Sequence, residues 1–165
     1  MKEFSSMYPE IKEELYALLH AQLKALIEGE REVIPNLANT SALLVQALQD
    51  INWVGFYLMK NDELLLGPFQ GKPACIHIPM GKGVCGTAAL ENRTQLVSDV
   101  HAFPGHIACD SASRSEIVIP IYVKGSVVGV LDIDSPVIGR FDEVDRAGLE
   151  GLVRTLEAGC LWKEA

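Results

Sequence analysis

Apolar residues recur every three or four positions between Pro9 and Gly29. Ile11, Leu15, Leu18, Leu19 and Leu26 fall on one stripe with Gln22, and Glu and Lys lie opposite, which predicts an amphipathic helix opened by Pro9 and ended by Gly29. The same spacing predicts a second helix from about Pro35 to Gln49, with Val33, Leu37, Leu44, Val45 and Leu48 as its apolar set. At Trp53 the period shortens. WVGFYLM and ELLLGPF flank Lys60-Asn61-Asp62 and read as a β-hairpin. A strand over Ala74 to Met80, a break at Gly81-Lys82-Gly83, a short helix over Val84 to Leu90 and a strand over Thr94 to Ser98 come next. Asp99 to Ser115 reads as a long polar loop. EIVIPIYV and SVVGVLDID then form a strongly apolar hairpin around Lys124-Gly125, which Pro136 terminates. A last helix runs from Phe141 to about Gly159, burying Val144, Leu149, Leu152, Val153 and Leu156. Strands joined largely as hairpins between terminal helices predict an α+β domain, with a central antiparallel sheet and helices packed on one face.

A length of 165 residues bounds this to one domain, 1–165, large enough to build a core without disulfide staples. With 48% hydrophobic and 22% charged residues, the chain is not of disordered composition. A formal charge of -8 argues against a nucleic-acid or anionic-membrane partner, leaving a small molecule or a protein. The start MKEFSSMYPEIKEEL lacks the apolar centre of a signal peptide, and no apolar run approaches the ~18 residues of a membrane span. A cytoplasmic location is therefore expected, where four cysteines are better read as free, catalytic or metal-bound than as structural disulfides.

The candidate chemistry is concentrated between Cys75 and Cys109, a stretch holding three of the four cysteines and three of the four histidines. Cys85 starts the short helix after Gly-Lys-Gly, and Cys109 ends a loop that also carries His101, His106 and Arg114. Both settings favour a lowered thiol pKa. No cysteine pair has C-x-x-C spacing, and any disulfide among positions 75, 85 and 109 requires the fold to bring separate loops together. Cys160, on the last helix, reads as core. His77, His101 and His106 with the three cysteines match no common zinc spacing, so no metal is expected. Glu116, Asp132 and Asp134 form a second group. The hairpin is symmetric about its turn, which sets 116 near 134, while 132 and 134 share one strand face. Carboxylates so close raise at least one pKa and leave a carboxyl able to act as an acid. Asp132 also interrupts an apolar run, where an unpartnered charge is costly. Trp53 and Tyr57 share a face of the first strand and can wall an apolar pocket, or simply fill the core.

The segments INWVGFYL, LLLGPFQGKPACIHIPMGKGVCGTA, LVSDVHAFPGHIACDSASRSEIVIPI and VVGVLDIDSP, in this order, closely resemble the free methionine-(R)-sulfoxide reductases, which are single GAF domains. The resemblance extends from about Trp53 to Phe141. It implies a GAF sheet of about six strands that binds no cofactor. It further implies that Cys109 attacks the sulfoxide sulfur and becomes a sulfenic acid, that Cys75 condenses with it to a disulfide, and that Cys85 is a third cysteine able to take part in recycling. Thioredoxin would then reduce the disulfide, drawing indirectly on NADPH. Glu116, Asp132 and Asp134 would hold the sulfoxide and the ammonium of free methionine-(R)-sulfoxide, with Trp53 and Tyr57 around its side chain. GAF domains commonly pair, so a homodimer is expected. The main alternative is a non-catalytic GAF sensor module that binds a small ligand or reports redox state through its cysteines. Such modules are usually attached to an output domain, for which 165 residues leave no room.

Overall fold

A computed structural model of the chain describes residues 7–107 and 109–163. Residues 1–6, on which part of the leader-peptide reading rests, lie outside the described residues. Among the described residues four α-helices, α1 (Lys12–Ile27), α2 (Val33–Ala47), α3 (Gly83–Glu91) and α4 (Glu143–Gly159), accompany six strands and one short 3-10 turn, Val100–Ala102. The strands are β1 (Trp53–Lys60), β2 (Glu63–Gly71), β3 (His77–Pro79), β4 (Gln95–Val97), β5 (Ser115–Val123) and β6 (Ser126–Ser135). They form one sheet in the order β3-β2-β1-β6-β5-β4, antiparallel at every pairing. The six-stranded antiparallel α+β architecture expected from the sequence is the one observed.

Alternation along the central strands separates two apolar layers. Val54 and Phe56 of β1, Ile117, Ile119 and Ile121 of β5, and Leu131 and Ile133 of β6 face one way and pack on α1, α2 and α4. Their neighbours Trp53, Tyr57, Val118 and Val130 face the other way, where the short α3 covers them with Val84, Ala88 and Ala89. The three long helices thus occupy one face, as expected, and α3 caps part of the second. Among the described residues no helix is long and apolar enough to cross a membrane.

Three local features differ from the periodicity reading. The buried stripe of α1 is Leu15, Tyr16, Leu19, Leu23 and Ile27, while Ile11 and Leu26 are exposed. Polar ties fix that rotation: the Tyr16 hydroxyl donates to Asp145 Oδ1 at 2.7 Å and Lys12 Nζ to Asp145 Oδ2 at 2.6 Å, turning this side of α1 toward the start of α4. There Asp142 and Asp145 form a capping box. The expected strand over 74–80 is only three residues long, so Cys75 lies ahead of β3 in an irregular segment. On α2, Val45 is likewise exposed.

Candidate active site

The second sheet face carries successive rows of side chains. Trp53, Asp134 and Glu116 stand side by side across β1, β6 and β5, and Gly55, Asp132 and Val118 form the next row. The expected opposition of 116 and 134 is thus the observed register. Gly55 has a steric reason: a Cβ there would overlap Phe69 and come within 2.8 Å of the Trp53 ring. Trp53 stacks between its neighbours, with ring centroids 5.2 Å from Phe69 and 5.9 Å from Tyr57. Trp53, Tyr57, Glu116, Asp132 and Asp134 line a cleft with ≈ 570 Å³ of space counting its open mouth, which Cys85, Cys109, His106 and Asp110 also line.

The deep end of the cleft is acidic. Glu116 and Asp132 are each 6% exposed, and Cys85 on α3 is 4% exposed. The Cys85 thiol points at Glu116 Oε1 from 3.9 Å, and donor atoms of Cys85, Glu116 and Asp132 all lie within 4.8 Å of one another. Such a trio has the composition of a metal-ligand set. Burial, reinforced by the charges of Asp132 and Asp134, holds the Glu116 carboxyl well above the usual carboxylate range. Burial raises Asp132 too, against hydrogen bonding with Glu116 and Cys85. Asp134, nearer the mouth, is raised well above its ordinary value by burial and then by the charges of Asp132 and Asp110. The arrangement therefore stores protons where an apolar wall meets a carboxyl row. Cys85 departs from expectation. Burial and the surrounding carboxylates push its thiol up rather than down, because α3 buries this N-terminal residue against anions.

At the mouth, Cys75 and Cys109 form a disulfide with Cα atoms 5.9 Å apart, joining segments 34 residues apart in sequence. That Cα separation lies inside the range an unforced bridge needs. Cys75 is half-buried and Cys109 is exposed. Both aromatic walls hold the Cys75 segment by their polar atoms: Trp53 Nε1 donates to the Lys72 carbonyl at 3.1 Å and the Tyr57 hydroxyl to the Cys75 carbonyl at 2.9 Å. Burial, then the charges of Asp132, Cys85 and the other carboxylates, raises the Tyr57 pKa and keeps that hydroxyl a donor. The Cys109 loop is tied from beneath. Asn52 Nδ2 donates to Asp110 Oδ2 and to Ser113 Oγ, both at 3.1 Å. Of the three basic side chains expected near Cys109, His106 lines the cleft, where burial and then His101 lower its pKa, whereas His101 and Arg114 do not line it. Asn52, Asp110 and Ser113 escaped the sequence reading. The only signal was adjacency, since Asn52 precedes Trp53 and Asp110 follows Cys109.

The GAF domain family profile matches residues 35–158. The free methionine-R-sulfoxide reductase of Escherichia coli is 58% identical over 146 residues, covering 88% of each chain. The free methionine-R-sulfoxide reductase of Saccharomyces cerevisiae is 46% identical over 160 residues, covering 92% of this chain and 89% of its own. The structure of free methionine-R-sulfoxide reductase from Neisseria meningitidis, in complex with its substrate, superposes with a TM-score of 0.89 at 44% identity, covering 93% of each chain. Identity of this order over nearly the whole length goes beyond a shared fold, and the chain belongs to the free methionine-R-sulfoxide reductase family of GAF domains.

Proposed function

We propose that this chain, acting as one GAF domain over 1–165, reduces free L-methionine-(R)-sulfoxide to methionine in the cytoplasm, as a homodimer recycled by thioredoxin and with no bound cofactor. The observation that supports this most is the Cys75–Cys109 disulfide at the mouth of a cleft floored by protonatable carboxyls. Sulfoxide reduction needs both parts. The Cys109 thiolate attacks the sulfoxide sulfur while a carboxyl of the Glu116–Asp134 group protonates the sulfoxide oxygen. The protonated oxygen then passes from the methionine sulfur to the Cys109 sulfur as the old S–O bond and the transient S–S bond break, so that methionine leaves and Cys109 is left as a sulfenic acid. The Cys75 thiol condenses with that sulfenic acid, releasing one water and forming the disulfide. Two electrons from a thioredoxin dithiol reopen it, NADPH being the distant donor. Cys85 is not in the bridge and lies against the carboxyls, so its part is to aid recycling or proton placement. Trp53 and Tyr57 supply the apolar wall for the thioether end, and Asp132 and Asp134 the anionic partner for the α-ammonium. A peptide-bound methionine has no α-ammonium, which accounts physically for a preference for the free amino acid.

Thioredoxin-coupled NADPH oxidation, with the separated R and S diastereomers of free methionine sulfoxide, a peptide-bound sulfoxide and Cys109→Ser beside the native chain, tests this. Turnover of the free R form alone, absent in Cys109→Ser, is the expected result. Flat traces with every sulfoxide, from protein whose thiols titrate normally, overturn it in favour of a redox-reporting GAF module.

A further inference from the structure

We infer that Cys85, Glu116 and Asp132 constitute a binding site for a single zinc ion at the deep end of the cleft. The donor set is already gathered: the three ligand atoms lie within 4.8 Å of one another, with Cys85 Sγ 3.9 Å from Glu116 Oε1. Zinc bond lengths to sulfur and oxygen place tetrahedral donors roughly 3.5 Å apart, so closing on a metal requires side-chain rotations rather than backbone movement. A second observation points to a missing partner. Asp132 Oδ1 is buried in a residue only 6% exposed and receives no hydrogen bond from any group outside the trio, its side chain meeting only Glu116 and Cys85. Among the described residues, no lysine, arginine or histidine forms an ion pair with Glu116, Asp132 or Asp134. Buried anions without a cation have two remedies, protons or a metal.

The ligand chemistry selects the ion. One thiolate with two carboxylates suits a borderline-soft, four-coordinate dication, whereas magnesium and calcium call for six or more oxygens. Three protein ligands leave the fourth position facing the cleft, open to water. Binding displaces the Cys85 thiol proton and the proton held among the carboxyls. The spacing search over histidines and cysteines misses such a site because two of its ligands are carboxylates carried on neighbouring strands. Zinc there removes the carboxyl proton from use, so that it inhibits the reductase; that consequence rests on the proposed function, whereas metal binding does not.

The test uses the full chain with Cys75–Cys109 oxidised, so that Cys85 and Cys160 are its remaining thiols. Cobalt(II) is titrated as the spectroscopic stand-in for zinc. Expected are a thiolate-to-cobalt charge-transfer band and tetrahedral d–d bands saturating at a single equivalent, both abolished when zinc is added. Cys85→Ser loses the charge-transfer band, Cys160→Ser keeps it, and the isosteric Asp132→Asn weakens cobalt affinity by about tenfold or more. Absence of the band, its survival in Cys85→Ser, its loss in Cys160→Ser, or an unchanged affinity in folded Asp132→Asn each overturns the assignment. None of these readouts requires turnover, so a failure of the metal site and a failure of the reductase reading remain distinguishable.

Discussion

Glu116 concentrates the conflict between stability and chemistry in one side chain. Its carboxyl is raised in the folded chain by burial and by Asp132 and Asp134. A raised folded value means that the native state binds more protons than the unfolded one between the two pKa values. The stabilisation from that proton is complete below the ordinary glutamate value and lost as pH rises through the folded one. Glutamine keeps the shape and never ionises. Glu116→Gln is therefore expected to raise the melting temperature, by more at mildly alkaline than at mildly acidic pH, while lowering turnover about 10²- to 10⁴-fold through loss of the proposed acid. Thermal unfolding of both proteins at the two pH values, beside the coupled assay, checks both halves. A variant that melts lower at neutral pH while keeping its activity would count against the proton-storing role. Cys85 illustrates what the sequence concealed at this scale. Its place near a helix start was legible, but whether it faces solvent or three carboxylates depends on a sheet strand 31 residues away.

At the scale of elements, the β5–β6 hairpin was the most legible part of the chain, because its turn and its symmetric apolar runs determine register and face together. Glu116 opposite Asp134 follows directly from it. The helices were less legible. The period identified α1, but the polar contacts of Lys12 and Tyr16 with Asp145, more than 120 residues on, decide which of its leucines are buried. Cys75 was read into a strand that stops short of it, and the segment holding it is shaped instead by carbonyl contacts to Trp53 and Tyr57. Long-range hydrogen bonds leave no local pattern. Strand β1 offers a test of how closely that wall is fitted. Gly55→Ala places a methyl against Phe69 and 2.8 Å from the Trp53 ring, with backbone on one side. The expected loss is about 1–3 kcal/mol of stability, with a higher KM because the indole is displaced. Urea unfolding and steady-state kinetics measure the two effects, and an unchanged KM would separate the indole from substrate binding.

For the molecule as a whole, the sheet separates a structural face from a chemical one. Three helices cover the first with closely packed leucines and isoleucines, and the second holds its acids, thiols and aromatic rings under a short helix and two loops joined by a disulfide. The wall that grips the disulfide segment contains one of only two tryptophans in the chain. Trp53 donates to the carbonyl of Lys72, three residues from Cys75, and stacks on Tyr57, which holds the carbonyl of Cys75 itself. Trp162 lies with the opposite layer, its Nε1 donating to the Leu156 carbonyl. Disulfides quench nearby indole emission, so opening and closing the bridge should modulate one fluorophore while the other gives a constant background. Emission is expected to change on adding a dithiol reductant, to keep that change in Trp162→Phe and to lose it in Trp53→Phe. A signal that instead follows Trp162 would contradict the geometry. With that outcome the chain carries its own optical gauge of oxidation state, readable in real time without label or coupled enzyme.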